Sequence, residues 1–130
     1  MTRAMLMTVL ARLDGQNVEG GNPWYQKSMD WARRAGVSDG TMPEEDVTRE
    51  QLVTMLYRYA VYSGADVTAP EKQEQYLDWD SVAGWAADAF AWAVDRGIIN
   101  GTSPKELSPG GNALRCMAAA IFQRYCELLQ

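Results

Sequence analysis

The stretch GTMPEEDVTREQLVTMLYRY, Gly40–Tyr59, decides the fold. It predicts a loop, an N-cap at Thr48 and then a helix with Leu52, Met55, Leu56 and Tyr59 on one face. Arg49 falls at the first helical position, where backbone N–H groups already make the helix end positive. A cation there is mildly unfavourable, so its presence asks for a reason.

Two other stretches run in step with this one. In MTRAMLMTVLARL (Met1–Leu13) and NALRCMAAAIFQRY (Asn112–Tyr125), Arg3 and Arg115 align with Arg49. Leu6, Leu52 and Ala118 align, as do Leu10, Leu56 and Phe122, and a second arginine recurs at Arg12, Arg58 and Arg124. Each copy therefore carries the same apolar stripe behind the same first-turn arginine, which marks an internal repeat. A second unit precedes the later two helices. PWYQKSMDWARRAGVSDGT (Pro23–Thr41) matches GWAADAFAWAVDRGIINGT (Gly84–Thr102) without a gap, pairing Trp24 with Trp85 and Trp31 with Trp92. Gly36 and Gly97 sit where a helix ends in a left-handed residue. The repeat is thus helix, glycine cap, loop, helix, and the sequence opens inside the second helix of a first copy.

Composition narrows the function. A chain of 130 residues suits one domain with room for a core. Its net charge of −5 argues against nucleic acid as a partner, and no apolar run reaches the length of a membrane span. Histidine is absent, which removes the commonest general base and transition-metal ligand. Cys116 and Cys126 share one predicted helix, about 15 Å apart along it, too far for a disulfide, and are expected as free thiols in the core. The acidic groups Glu44, Glu45 and Asp46, and Asp78 with Asp80, give no assurance of two carboxyls facing each other across a cleft. No enzyme, cofactor or metal is expected.

The stretch YLDWDSVAGWAADAFAWAVDRGIINGTSPKELSPGGNALRCMAAAIF, together with the two shorter copies, resembles the S-layer homology domain. The repeats of that family look like an aromatic-x-Asp start, a Trp-bearing helix, G-I-I-x-G, a loop and T-R-A-E opening a second helix. The motif's glutamate is replaced here by Met5, Gln51 and Met117, and its threonine by Leu114 in the third copy. The resemblance implies an all-α, pseudo-threefold repeat domain with the three motif helices bundled at the centre. Its parts would be residues 1–13, the second half of a truncated first repeat, then 14–64 and 65–130. It implies a non-catalytic wall anchor of a bacterial surface protein, outside the cell, with no signal peptide in this sequence. The partner would be acidic, pyruvylated secondary cell-wall polysaccharide, bound in grooves between repeats. The implied ligand-binding residues are Arg49, Arg115 and Arg3, ranked in that order, with Asp78 of the aromatic-x-Asp start and Trp24 and Trp85 bordering the grooves.

Each feature has a plainer reading. The first-turn arginines also suit salt bridges between repeats. Arg12, Arg58 and Arg124 lie off the stripe and read as solvated or locally paired. Trp31 and Trp92 stand among alanines and read as core, whereas Trp79 has no repeat partner and no assigned place. The alternative function is a helical scaffold for protein contacts without glycan. The missing front half of the first copy is expected to leave one groove open, favouring self-association.

Overall fold

A computed structural model describes residues 1–69, 78–99 and 106–128. Tyr76 and Leu77 of the aromatic-x-Asp start, and the Gly101–Thr102 pair, lie outside the described residues, as do residues 70–75 and 103–105 of the two later loops. The fold is all-α: α1 (Arg3–Leu13), α2 (Gln26–Ala35), α3 (Arg49–Tyr62), α4 (Ala87–Asp95) and α5 (Arg115–Leu128). Two 3-10 turns, Trp79–Ser81 and Gly84–Ala86, precede α4. Two isolated β bridges join described residues, Thr2 with Asp46 and Thr48 with Asn112.

Local chemistry sets the helix ends. Thr48 accepts from the Gln51 N–H at 3.2 Å while Gln51 Oε1 accepts from the Thr48 N–H at 3.0 Å, a reciprocal capping box. Thr2 and Met5 repeat the arrangement, with the Met5 sulfur accepting from Thr2 N–H at 3.5 Å in place of a carboxylate. Gly36 ends α2 at φ 76° and Gly97 follows α4 at φ 70°, conformations that cost a Cβ-bearing residue energy.

The motif helices α1, α3 and α5 meet in one buried cluster containing Leu6, Leu10, Leu52, Leu56, Ala118, Ile121 and Tyr125. The Trp-bearing helices wrap outside them with a shift of one copy: α2 packs on α1, and α4 packs on α3. Trp31 and Trp92 are buried as their alanine-flanked positions suggest. Trp79, unplaced from its sequence position, is buried in the first 3-10 turn. The cysteines depart from expectation. They are free thiols, but Cys116 is exposed and Cys126 is half-buried, because they lie on sides of α5 that no other described helix covers.

Divergence between copies is visible inside the core. Asp14, at the C-terminus of α1, accepts from Trp31 Nε1 at 3.2 Å and from the Tyr59 hydroxyl at 3.4 Å. The aligned Trp92 Nε1 finds no acceptor among the described residues, because Ala60 stands where Asp14 stands in the first copy. Burial first, and then the neighbouring Asp14 carboxylate, push the Tyr59 pKa up to about 12. The folded state thus favours protonated Tyr59, so its contribution is intact below the ordinary tyrosine value of about 10 and is lost as pH rises through 12.

Two outcomes follow. Leu56→Ala removes a fully buried side chain at the centre and should lower unfolding free energy by about 2–5 kcal/mol in urea titrations. Melting temperature should fall between pH 10 and pH 12, and should fall less steeply in Tyr59→Phe, as scanning calorimetry would show.

Candidate functional site

The first-turn arginines hold loops. Arg3 Nε donates to the Thr41 carbonyl at 3.0 Å, and Arg49 Nε donates to the Leu107 carbonyl at 2.8 Å. Thr41 and Leu107 are counterparts once the five extra residues of the later loop are allowed for. The same loops also take the free N–H groups of the helix ends. Arg3 and Ala4 N–H donate to the Glu45 and Pro43 carbonyls, both at 2.9 Å. Arg49 and Glu50 N–H donate to the Gly111 and Pro109 carbonyls at 2.8 and 2.9 Å. These helix ends are capped by carbonyls from the chain leading into the next motif helix, so their N–H groups do not converge on an open anion site.

The implied site residues separate accordingly. Arg49 is 5% exposed and its guanidinium also reaches the Met117 sulfur at 3.6 Å. Asp78 is engaged too, accepting from the Leu107 and Ser108 N–H groups at 2.8 Å each with its two oxygens. Arg3, Trp85, Arg115 and Trp24 instead line two surface grooves.

The groove between α1 and α3 has a volume of about 360 Å³. One wall is Arg3 with Ser38 and Asp39 from the loop after α2; the other is Gln51, Thr54, Met55 and Arg58 of α3, closed by Trp85. Arg3 Nη2 donates to Ser38 Oγ at 3.0 Å and to Asp39 Oδ1 at 3.1 Å. Hydrogen bonds from the Thr41 hydroxyl and N–H, then the Arg3 charge, hold the Asp39 carboxyl below the usual carboxylate range. Arg3 is thereby largely compensated. Arg58 is exposed with no described partner and supplies the uncompensated positive charge. Thr54 Oγ1 is buried with no partner among the described residues, and Trp85 is 55% exposed at the rim.

The second groove, about 440 Å³, repeats this plan between α5 and α1. Met5, Thr8, Val9 and Arg12 stand where Gln51, Thr54, Met55 and Arg58 do, Trp24 replaces Trp85, and Arg115 replaces Arg3. Its chemistry differs. Thr8 Oγ1 is satisfied by the Ala4 carbonyl at 2.8 Å and Ser28 Oγ at 2.9 Å, and the wall opposite α1 is apolar, made by Ala118, Ala119 and Phe122. Thr54 is left unpartnered because Ala89 occupies the position of Ser28.

Arg58, Arg12 and Thr54 were not legible as groove residues from charge alone. Their signal is spacing: positions 51, 54, 55 and 58 share one helical face, and the shift to 5, 8, 9 and 12 preserves it. Among the described residues no group of three or more metal-ligating side chains is gathered.

Arg49→Ala should destabilise the fold by about 1–3 kcal/mol, since the buried Leu107 carbonyl loses its donor. Arg115→Ala, at an exposed position, should stay within about 0.5 kcal/mol of the parent in the same denaturant titration.

The chain is 28% identical over 146 residues to an amylopullulanase of Thermoanaerobacterium thermosulfurigenes, covering 98% of this chain and 8% of that protein. It is 27% identical to an endoglucanase of Bacillus sp. strain KSM-635, covering 94% of this chain and 14% of the relative. It is 30% identical to the exoglucanase XynX of Acetivibrio thermocellus, covering 85% of this chain and 10% of the relative. The chain therefore spans only about a tenth of the length of these relatives. No solved structure matches at a significant level. The family profile of the S-layer homology domain matches residues 75–115.

Proposed function

We propose that this domain is a non-catalytic anchoring module that holds a bacterial surface protein to its wall by binding acidic, pyruvylated secondary cell-wall polysaccharide. The observation that carries the reading is the groove between α1 and α3. It combines an uncompensated guanidinium at Arg58, a buried unpartnered hydroxyl at Thr54 and an exposed indole face at Trp85. A carboxylated sugar suits that set: the fork of Arg58 takes the carboxylate and Trp85 packs on the apolar face of the ring.

The comparisons support the anchoring part. Three relatives named as different enzymes share this segment over 14% or less of their lengths, the pattern of an appended module. Under this reading the domain acts outside the cell, and residues 1–13, 14–64 and 65–130 are three repeats of one unit, the first represented by its motif helix. Within the site we place Arg3, Arg58 and Trp85 in direct service of the ligand, Arg115 and Trp24 in the more apolar groove, and Arg49 and Asp78 in support of the loop before α5. The apolar groove, with Met5, Val9 and Phe122, favours a second reading in which that side takes protein rather than sugar.

Calorimetric titration with a pyruvylated disaccharide tests the proposal. Arg58→Ala and Trp85→Ala should each weaken binding about tenfold or more, and Arg58→Lys should weaken it despite keeping the charge. Binding by Arg58→Ala and Trp85→Ala that matches the parent would remove this groove as the glycan site.

A further inference from the structure

The caps of α1 and α3 differ in one acceptor. Gln51 Oε1 accepts from the Thr48 N–H at 3.0 Å and closes the cap of α3. At the aligned place on α1 the acceptor is the Met5 sulfur, 3.5 Å from the Thr2 nitrogen. A second donor meets the same sulfur: Arg115 Nη2 lies 3.6 Å from it, within the groove between α5 and α1. A thioether is a weak acceptor, so two donors, one of them charged, converge on an atom that returns little to either.

Met5 is also within reach of solutes. It is half-buried and lines the groove of about 440 Å³, whereas Met7, Met29 and Met55 are buried at 5% exposure or less. Met117 is half-buried too, but its sulfur meets Arg49 Nη1 at 3.6 Å and lines neither groove. Met42, in the loop after α2, is 65% exposed and serves as the freely accessible reference. Met5 thus combines access with two waiting donors.

We propose that Met5 is an oxidation site, where hydrogen peroxide converts the thioether to a sulfoxide whose oxygen is held jointly by the Thr2 N–H and the Arg115 guanidinium. In the step a sulfur lone pair attacks one peroxide oxygen, and the S–O bond forms as the O–O bond breaks. Sulfur is oxidised by two electrons, and the second oxygen leaves with both protons as water. Glutamine and methionine sulfoxide both carry an acceptor oxygen on the third side-chain atom beyond Cα, so the cap of α3 already accommodates this shape. A sulfoxide normally disrupts an apolar setting; here two donors stand ready for it, and the charged one strengthens the bond. Arg115 gains a compensating partner, and the apolar groove moves towards the chemistry of the groove between α1 and α3. The inference rests on the surroundings of Met5 and is independent of glycan binding.

The test treats the full chain, and Met5→Leu beside it, with dilute hydrogen peroxide, reading sulfoxide by peptide mass spectrometry and stability by melting temperature. Met5 should convert after Met42 and before Met7, Met29 and Met55. Oxidation should shift the melting temperature of the parent about 2–4 °C further upward than that of Met5→Leu. Met5→Gln should show a similar gain over the parent without oxidant, and Arg115→Ala should shrink the oxidation gain. Met5 that stays reduced while Met42 is fully converted overturns the proposal. So does a shift no more favourable in the parent than in Met5→Leu, or Met5→Gln melting no higher than the parent. A gain undiminished in Arg115→Ala overturns the shared acceptor.

Discussion

Every α-helix begins with N–H groups that its own backbone cannot satisfy, and for α1 and α3 the acceptors come from the chain that leads into the next motif helix. The loop carbonyls of Pro43 and Glu45 take the first N–H groups of α1, and those of Pro109 and Gly111 take the first N–H groups of α3. Arg3 and Arg49 add a side-chain bond to the same loops at Thr41 and Leu107. This is why a cation is tolerated at a positive helix end: it is bonded to carbonyls that the helix end itself has gathered. Each motif helix is thereby registered against the next, and the grooves between them inherit a fixed width.

One frame then carries two chemistries. The residues at positions 51, 54, 55 and 58 and those at 5, 8, 9 and 12 occupy the same places in their grooves, so small exchanges decide what each groove offers. Gln51 becomes Met5, which replaces a polar side chain with an apolar one. Ser28 becomes Ala89, which frees the Thr54 hydroxyl from protein partners. The same kind of divergence removes the Asp14 carboxylate from the later copy, where Ala60 stands beside an unpartnered Trp92 indole N–H. Wrapping the Trp-bearing helix onto the preceding motif helix makes these exchanges act across copies.

The helices were legible because periodicity, glycine caps and threonine caps are local signals: α1 and α3 begin at threonine caps, α2 ends at a glycine, and the stripe alone marks α5. The burial of Trp31 and Trp92 was legible for the same reason. Partner choice was not. Nothing in the sequence around Arg49 tells that its guanidinium turns to Leu107, because that contact spans 58 positions. Nor does composition tell that Arg58 faces a groove while Arg49 is buried; that depends on how one copy is rotated against the next. The cysteines were misplaced on similar grounds, since the helical stripe of α5 locates its inner face but not whether another helix covers its outer one.

The proposed anchoring requires that this domain grip a secondary wall polymer rather than the wall's peptidoglycan mesh or another protein. Co-sedimentation with purified wall sacculi, before and after chemical extraction of the secondary polysaccharide, tests it most directly. The account predicts that the domain pellets with intact sacculi, stays in solution with extracted ones, and is released by the free extracted polymer. Equal pelleting with both preparations, or with neither, would contradict it.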